Sequence, residues 1–267
     1  MEAAGVGEAR LRTIILAAGQ GKRMRSELAK VLHPLGGRPM LAYVVETAAA
    51  VGSERIVAVV GHQAERVREL FRGAPLVFVD QREQLGTGHA VLQARAEFRG
   101  YEGVILILCG DVPLLQPATV SRLLARHLAD GAVVTVLTTC LADPRGYGRV
   151  IKNERGEVLR IVEEKDGTSA ELMVHEINTG IYCVAGGFLF QALGALTKDN
   201  AQGEYYLTDI VAVARLGGLR VSCLQVLDAE EVMGINTPEE LARAELNMKH
   251  CKRSRQQGRC RPRGSWL

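Results

Sequence analysis

Aromatic side chains make up only 4% of these 267 residues. That is too few for the stacking platforms with which many proteins grip single-stranded nucleic acid. Charge of one sign is also in short supply. The formal net charge is +3, and much of the excess falls in the last stretch, where Lys249, Lys252, Arg253, Arg255, Arg259, Arg261 and Arg263 occur without an acid among them. The body is therefore close to neutral and offers no nucleic-acid surface. No apolar run approaches the ~20 residues that span a bilayer, and MEAAGVGEARLR at the start has no apolar core of a signal peptide. The six cysteines, at 109, 140, 183, 223, 251 and 260, form no CxxC or CxxxC pair. Several sit in apolar, strand-like runs as small hydrophobes, which points to free thiols in a reducing cytoplasm. Internal repeats are absent, as are a Walker A loop, a complete G-x-G-x-x-G and a Ser/His/Asp set. His33 and His62 lack metal-ligand spacing.

What is present is alternation. Apolar, β-branched runs predict strands over 13–17, 55–60, 76–79, 104–109 and 132–139. Helical patterns predict helices over 39–51, 64–71, 88–97 and 117–130. The run VILILC at 104–109 is apolar on successive residues, the pattern of a central strand buried on both faces. Strands alternating with helices give βαβ units, and hence an α/β, Rossmann-like, doubly wound and mostly parallel sheet. Right-handed crossovers set the loops after the strands along one edge, where ligands bind. After about residue 141 the rhythm changes. Strands over 146–152, 158–163 and 176–184 predict a β-rich insertion over that edge. Helices over 187–196, 206–216 and 238–247 and a strand over 220–226 complete the pattern. From about His250 the composition predicts a basic, disordered tail.

Three loops have residues suited to chemistry. In LAAGQGKRM the first strand empties into small residues. Gly19 and Gly21 permit positive φ, so backbone N–H groups can form an anion nest, and Arg23 and Lys30 add a planar fork and a point charge. A tight structural turn accounts for the glycines equally well. In CGDVPLL, Asp111 stands at the end of the central strand, where one carboxylate plus substrate phosphates commonly holds Mg²⁺. Capping the turn before Pro113 is the plainer reading. In QREQLGTGHA, Gln81 offers an amide pair and Gly86-Thr87 a loop able to read a base, although Thr87 suits a helix N-cap as well and His89 suits a structural role.

LAAGQGKRM followed by Lys30-Val31-Leu32 resembles the signature of sugar-1-phosphate nucleotidyltransferases. QLGTGHA, CGDVPLL, DPRGYGRVIKN, IVEEKD, EINTGIY, AQGEYYLTDI and GINTPEEL, taken in order, resemble the uridylyltransferase domain of bacterial N-acetylglucosamine-1-phosphate uridylyltransferases. The resemblance runs over about 12–247. It implies a nucleotidyltransferase domain over 12–248, between an N-terminal extension (1–11) and the basic tail (249–267), with UTP and a sugar 1-phosphate as substrates and UDP-N-acetylglucosamine and pyrophosphate as products. It implies Arg23 and Lys30 as the catalytic cations on the phosphates. Leu16, Ala17, Ala18, Gly19, Gln81, Gly86 and Thr87 should line the nucleotide. Asp111 and Asn236 should hold Mg²⁺, and Gly148, Glu163, Asn178, Glu204 and Tyr206 the sugar. Asn236 suits a cap of the following helix too, and Glu164-Lys165 a solvated pair.

These residue types match such a reaction. A sugar-phosphate oxygen is already anionic, so orientation and charge neutralisation are required rather than a general base. Three departures stand out. The β-helix repeats of the bifunctional members are missing, so no acetyltransferase activity and a monomer or weak oligomer are expected. Ala29 replaces a usual Pro, and Cys109 a frequent Tyr or Ser. The open alternatives are another sugar 1-phosphate or nucleotide, and a non-catalytic nucleotide-sugar-binding protein. Intact Arg23, Lys30, Asp111 and Asn236 argue against the last.

Overall fold

The computed structural model describes residues 10–256. Strands β1 (Leu11–Ala17), β4 (Arg55–Val60), β5 (Leu76–Asp80), β6 (Val104–Cys109), β7 (Val134–Cys140), β10 (Glu176–Ala185) and β11 (Val221–Val226) form the sheet in the order β11-β7-β10-β6-β1-β4-β5. The pairs β1–β4, β1–β6, β4–β5 and β7–β11 are parallel. Side chains alternate across the sheet as a two-residue period demands. Ile56, Ala58, Val60, Leu106 and Leu108 pack in one core with α1 (Met40–Ala50), α2 (Ala64–Leu70) and α4 (Pro117–Asp130). Val57, Val59, Ile105 and Ile107 pack in the other with α3 (Thr87–Gln93), α6 (Gly186–Gly194) and α7 (Asp209–Leu216). The central strand is thus buried on both faces, and the sheet is doubly wound as its apolar runs predict.

One strand departs from the parallel rule. β10 runs antiparallel between β6 and β7, because it returns from the insertion. There β8 (Arg149–Lys152) pairs with β9 (Val158–Val162), and Arg149 meets Ile177 of β10. A chain that enters at the carboxyl edge of the parallel strands can only run back against them. A two-stranded ribbon, β2 (Pro34–Leu35) and β3 (Arg38–Pro39), turns at Gly36-Gly37 with φ of +58° and +86°, the left-handed pair that a tight hairpin needs.

Three helices differ from expectation. The 88–97 helix is α3 followed by a 3-10 turn over Arg95–Phe98. The 206–216 helix begins at Asp209, because residues 205–207 are used to hold the 85–88 loop: Tyr205 N donates to Leu85 O (2.8 Å) and Gly88 N to Tyr205 O (2.8 Å). The last helix, α9 (Pro238–Gln256), runs past 247. It follows α5 (Ser169–Leu172) and α8 (Ala229–Val232) in the helix count. Residues 247–256 hold no Gly or Pro, so nothing in them stops a helix. The N-terminal extension up to residue 9 and the tail beyond Gln256 lie outside the described residues. Among the described residues no helix is long and apolar enough to cross a membrane.

Candidate active site

Parallel register puts the strand ends at one edge: Leu16 lies beside Cys109 and Ala17 beside Val60. The first loop leaves this edge. Ala17 and Ala18 are buried, while Gly19 and Gln20 are exposed. Leu16 O accepts from Gly110 N (2.9 Å), tying the β1 and β6 loops together. The left-handed residues of the loop are Gly21 (φ +65°) and Arg25 (φ +50°), and Gly19 is not among them. Gly21 is the glycine that matters sterically, since a Cβ there would lie 2.6 Å from Lys30 Cβ. Its bare backbone lets Lys30 cross the loop.

Four side chains distant in sequence meet there. Lys30 Nζ pairs with Asp111 Oδ2 and donates to Asn236 Oδ1 (2.6 Å). Arg23 Nη2 donates to the same Oδ1 (2.9 Å). Asp111 does not cap the Pro113 turn: its carboxylate faces Lys30, and its carbonyl accepts from Ile235 N (2.9 Å). Nor does Asn236 cap α9. Thr237 Oγ1 accepts from Glu240 N (3.2 Å), and Glu240 Oε2 accepts from Thr237 N (3.1 Å) and Asn236 N (2.5 Å), a capping box. Asn236 Nδ2 donates to Gly234 O (3.0 Å), which turns Oδ1 toward the cations. No group of three His, Cys, Asp or Glu side chains suited to a metal occurs among the described residues. One carboxylate and one carboxamide oxygen nevertheless fit Mg²⁺, which keeps water and takes its other ligands from phosphates.

The next wall is the 81–89 loop. Gln81 is buried, and its Nε2 donates to Gly86 O (3.1 Å) and lies 3.2 Å from His89 Nδ1. Its Oε1 remains for a ligand donor. Gly86 has φ +105°, and a Cβ would sit 2.6 Å from Tyr205 O. Thr87 is the first residue of α3 rather than its cap, and its Oγ1 accepts from Leu207 N (3.0 Å). His89 lies between Gln81 and Gln93, a structural role.

The insertion forms the far wall. Asn178 N donates to Gly148 O (2.9 Å), and a Cβ on Gly148 would lie 3.5 Å from both Glu163 oxygens, so these three residues converge. Glu163 Oε1 accepts from Thr208 Oγ1 (3.0 Å). Burial holds the Glu163 carboxyl above the ordinary glutamate range, and Asp209, Asp166 and Glu204 push it the same way against the Thr208 bond. Tyr206 Oη donates to Asp166 Oδ2 (3.0 Å), and Ala201 N to Asp166 Oδ1 (2.8 Å), strapping residues 200–206 over the insertion. Tyr206 is therefore a buried tie, while Glu204 is half-buried nearby. Glu164 is not a solvated partner of Lys165. It binds the buried Arg149 (Nη2 to Oε2, 2.7 Å) and Gly146 N (3.1 Å). Cys109 Sγ donates to Gly180 O (3.4 Å), and burial pushes its thiol up to about 12.

Sequence reading named Gly21 but missed Asp166, Thr208 and Glu240. Only Glu240, three residues after Thr237, has a local signature.

Residues 13–207 match the MobA-like NTP transferase domain. The bifunctional protein GlmU of Pelobacter propionicus is 53% identical over 232 residues, covering 86% of this chain and 50% of its own length. That of Geobacter metallireducens is 54% identical over 235 residues (88% and 49%), and that of Brevibacillus brevis 49% over 240 (90% and 52%). The chain spans about half the length of the curated relatives it matches.

Proposed function

Because the chain belongs to the family of MobA-like NTP transferase domains, we propose that it moves a uridylyl group from UTP to N-acetylglucosamine 1-phosphate, forming UDP-N-acetylglucosamine and pyrophosphate. The convergence of Arg23, Lys30, Asp111 and Asn236 carries this reading. Two cations, a carboxylate and a carboxamide oxygen at the open edge of a parallel sheet suit polyanions better than any other substrate class. The blocks from QLGTGHA to EINTGIY fall within residues 13–207, the stretch matched by the family.

In this reading the sugar-phosphate oxygen attacks the α-phosphorus of UTP, and the bond to the pyrophosphate oxygen breaks on the opposite side. No proton leaves the nucleophile, so no general base is needed. Leu16, Ala17, Ala18 and Gly19 line the nucleotide with backbone. Arg23 and Lys30 neutralise its phosphate oxygens where negative charge gathers. Asp111 and Asn236 would hold Mg²⁺, which when bound supplies further neutralisation of those oxygens. Gln81 Oε1 accepts from the base, and the Gly86-Thr87 turn closes over it. Gly148 leaves room for the sugar, whose hydroxyls donate to Glu163, with Asn178 and Glu204 beside it. Tyr206 acts through its tie to Asp166. The free thiols at Cys109, Cys140, Cys183 and Cys223 suit a reducing cytoplasm.

Pyrophosphate release in Mg²⁺ and UTP tests the proposal, with N-acetylglucosamine, glucosamine and glucose 1-phosphates compared. Release with the first alone supports the full reading. Release with another sugar keeps the chemistry and moves the specificity, and no release with any defeats the reading.

A further inference from the structure

The loop of residues 18–30 carries Gly19, Arg23 and Lys30, yet it is long and largely exposed between its ends. The turn after β4 grips both of those ends. At the first, His62 N donates to Ala18 O (3.3 Å), and a Cβ on Gly61 would lie 2.8 Å from that same oxygen. At the second, the Gln63 carboxamide makes two bonds. Its Oε1 accepts from Ala29 N (2.9 Å), and its Nε2 donates to Glu27 O (2.7 Å). Gln63 does this from a left-handed backbone (φ +54°, ψ +37°) at the start of α2. Glycine is the residue that adopts this conformation without penalty. A long side chain held there is an outlier whose reason lies in what the side chain does.

We infer that Gln63 is a positioning residue for Lys30: its carboxamide fixes the backbone at 27–29, and so the place from which Lys30 reaches Asp111 and Asn236. The reasoning rests on the uridylyltransferase reading only for what Lys30 does afterwards. Ala29 is 1% exposed with φ −52° and ψ 133°, values a proline adopts unaided. Its N–H is the group a proline would lack. The chain therefore holds position 29 by a hydrogen bond from another element, where a ring could hold it covalently. The carboxamide and a ring at 29 exclude one another, since the ring carbon would replace the N–H that points at Gln63 Oε1.

That exclusion supplies the test. Wild type, Gln63→Gly, Ala29→Pro and the double variant are compared for pyrophosphate release, thermal midpoint and amide hydrogen exchange over residues 27–33. Gln63→Gly removes the clamp and relieves the backbone. Its kcat/KM should fall about tenfold, the scale of one or two lost positioning bonds, while its midpoint holds or rises and exchange over 27–33 quickens. A merely structural role would lower the midpoint with the activity. Ala29→Pro alone should lose activity to a similar extent, because the ring meets Gln63. The double variant should regain most of the wild-type turnover. Unchanged turnover and exchange in Gln63→Gly, or a double variant no better than Gln63→Gly, overturns the inference. If the wild type turns over no sugar 1-phosphate, the functional reading fails, and exchange still decides the clamp: quickening in Gln63→Gly upholds it and an unchanged rate refutes it.

Discussion

Asp111 acts through two separate groups, and they can be separated by mutation. Its carboxylate meets Lys30, while its carbonyl holds Ile235 N. Ala at 111 keeps the second and removes the first. Asp111→Ala should therefore fold normally by circular dichroism and lose about 100-fold or more in turnover, the scale of a lost charge-stabilising group. Activity like that of the wild type would sink the metal-side assignment. Glu163 presents the opposite balance. Burial raises its pKa, so the folded state binds a proton more readily than the unfolded chain does. Stability from this group is complete below the ordinary glutamate pKa and is lost as pH rises through the higher folded value. Glu163→Gln, which stays neutral, should hold or raise the thermal midpoint near pH 7.5, with the difference closing as pH falls through the raised pKa. Its KM for the sugar phosphate should rise about tenfold for want of a charged acceptor. A lowered midpoint at neutral pH would show that the buried charge is not costly.

Elements decide where these groups point. α4 occupies the residues its pattern predicts, 117–130, because Pro117 opens it and Gly131, at φ +56°, closes it. The head of α9 does more than begin a helix. Glu240 takes the N–H groups of both Thr237 and Asn236, so the cap of the helix also sets the residue that faces Lys30 and Arg23. Glu240→Ala should cost about 1 kcal/mol of stability, as lost caps do, and raise the Mg²⁺ concentration needed for half-maximal turnover. Glu240→Gln, which can still accept at Oε1, should restore most of both. A stability loss without a change in Mg²⁺ requirement would confine Glu240 to the helix.

Across the whole molecule, α4 is tied to the sheet by a buried polar contact. His127, 3% exposed, lies 2.9 Å from Thr135 Oγ1 through Nδ1. Burial lowers its pKa from 6.5 to about 4, so the unfolded chain takes the proton first. The stability it contributes is complete above pH 6.5 and is lost as pH falls toward 4, about 3 kcal/mol across that window. His127→Gln should flatten the dependence of the thermal midpoint on pH between 6.5 and 4, whatever it does to the midpoint at pH 7. An unchanged slope would mean that other groups govern acid unfolding.

The sheet's parallel half, its central strand at 104–109 and the loops at its carboxyl edge were legible in the chain, because apolar period, Gly, Pro and β-branched residues act within a few positions of themselves. Arg23 and Lys30 could be read as suited to anions, and Asp111 to Mg²⁺, for the same reason, while Asn236 entered only through the family resemblance. Their meeting could not. Asn236 reaches Lys30 across 206 positions, and no local rule links residues so far apart. The reversal of β10, the late start of α7 and the left-handed backbone at Gly21 rather than Gly19 were likewise decided by tertiary structure. Each answers to a neighbour from another part of the chain: the insertion, the 85–88 loop and the Lys30 side chain.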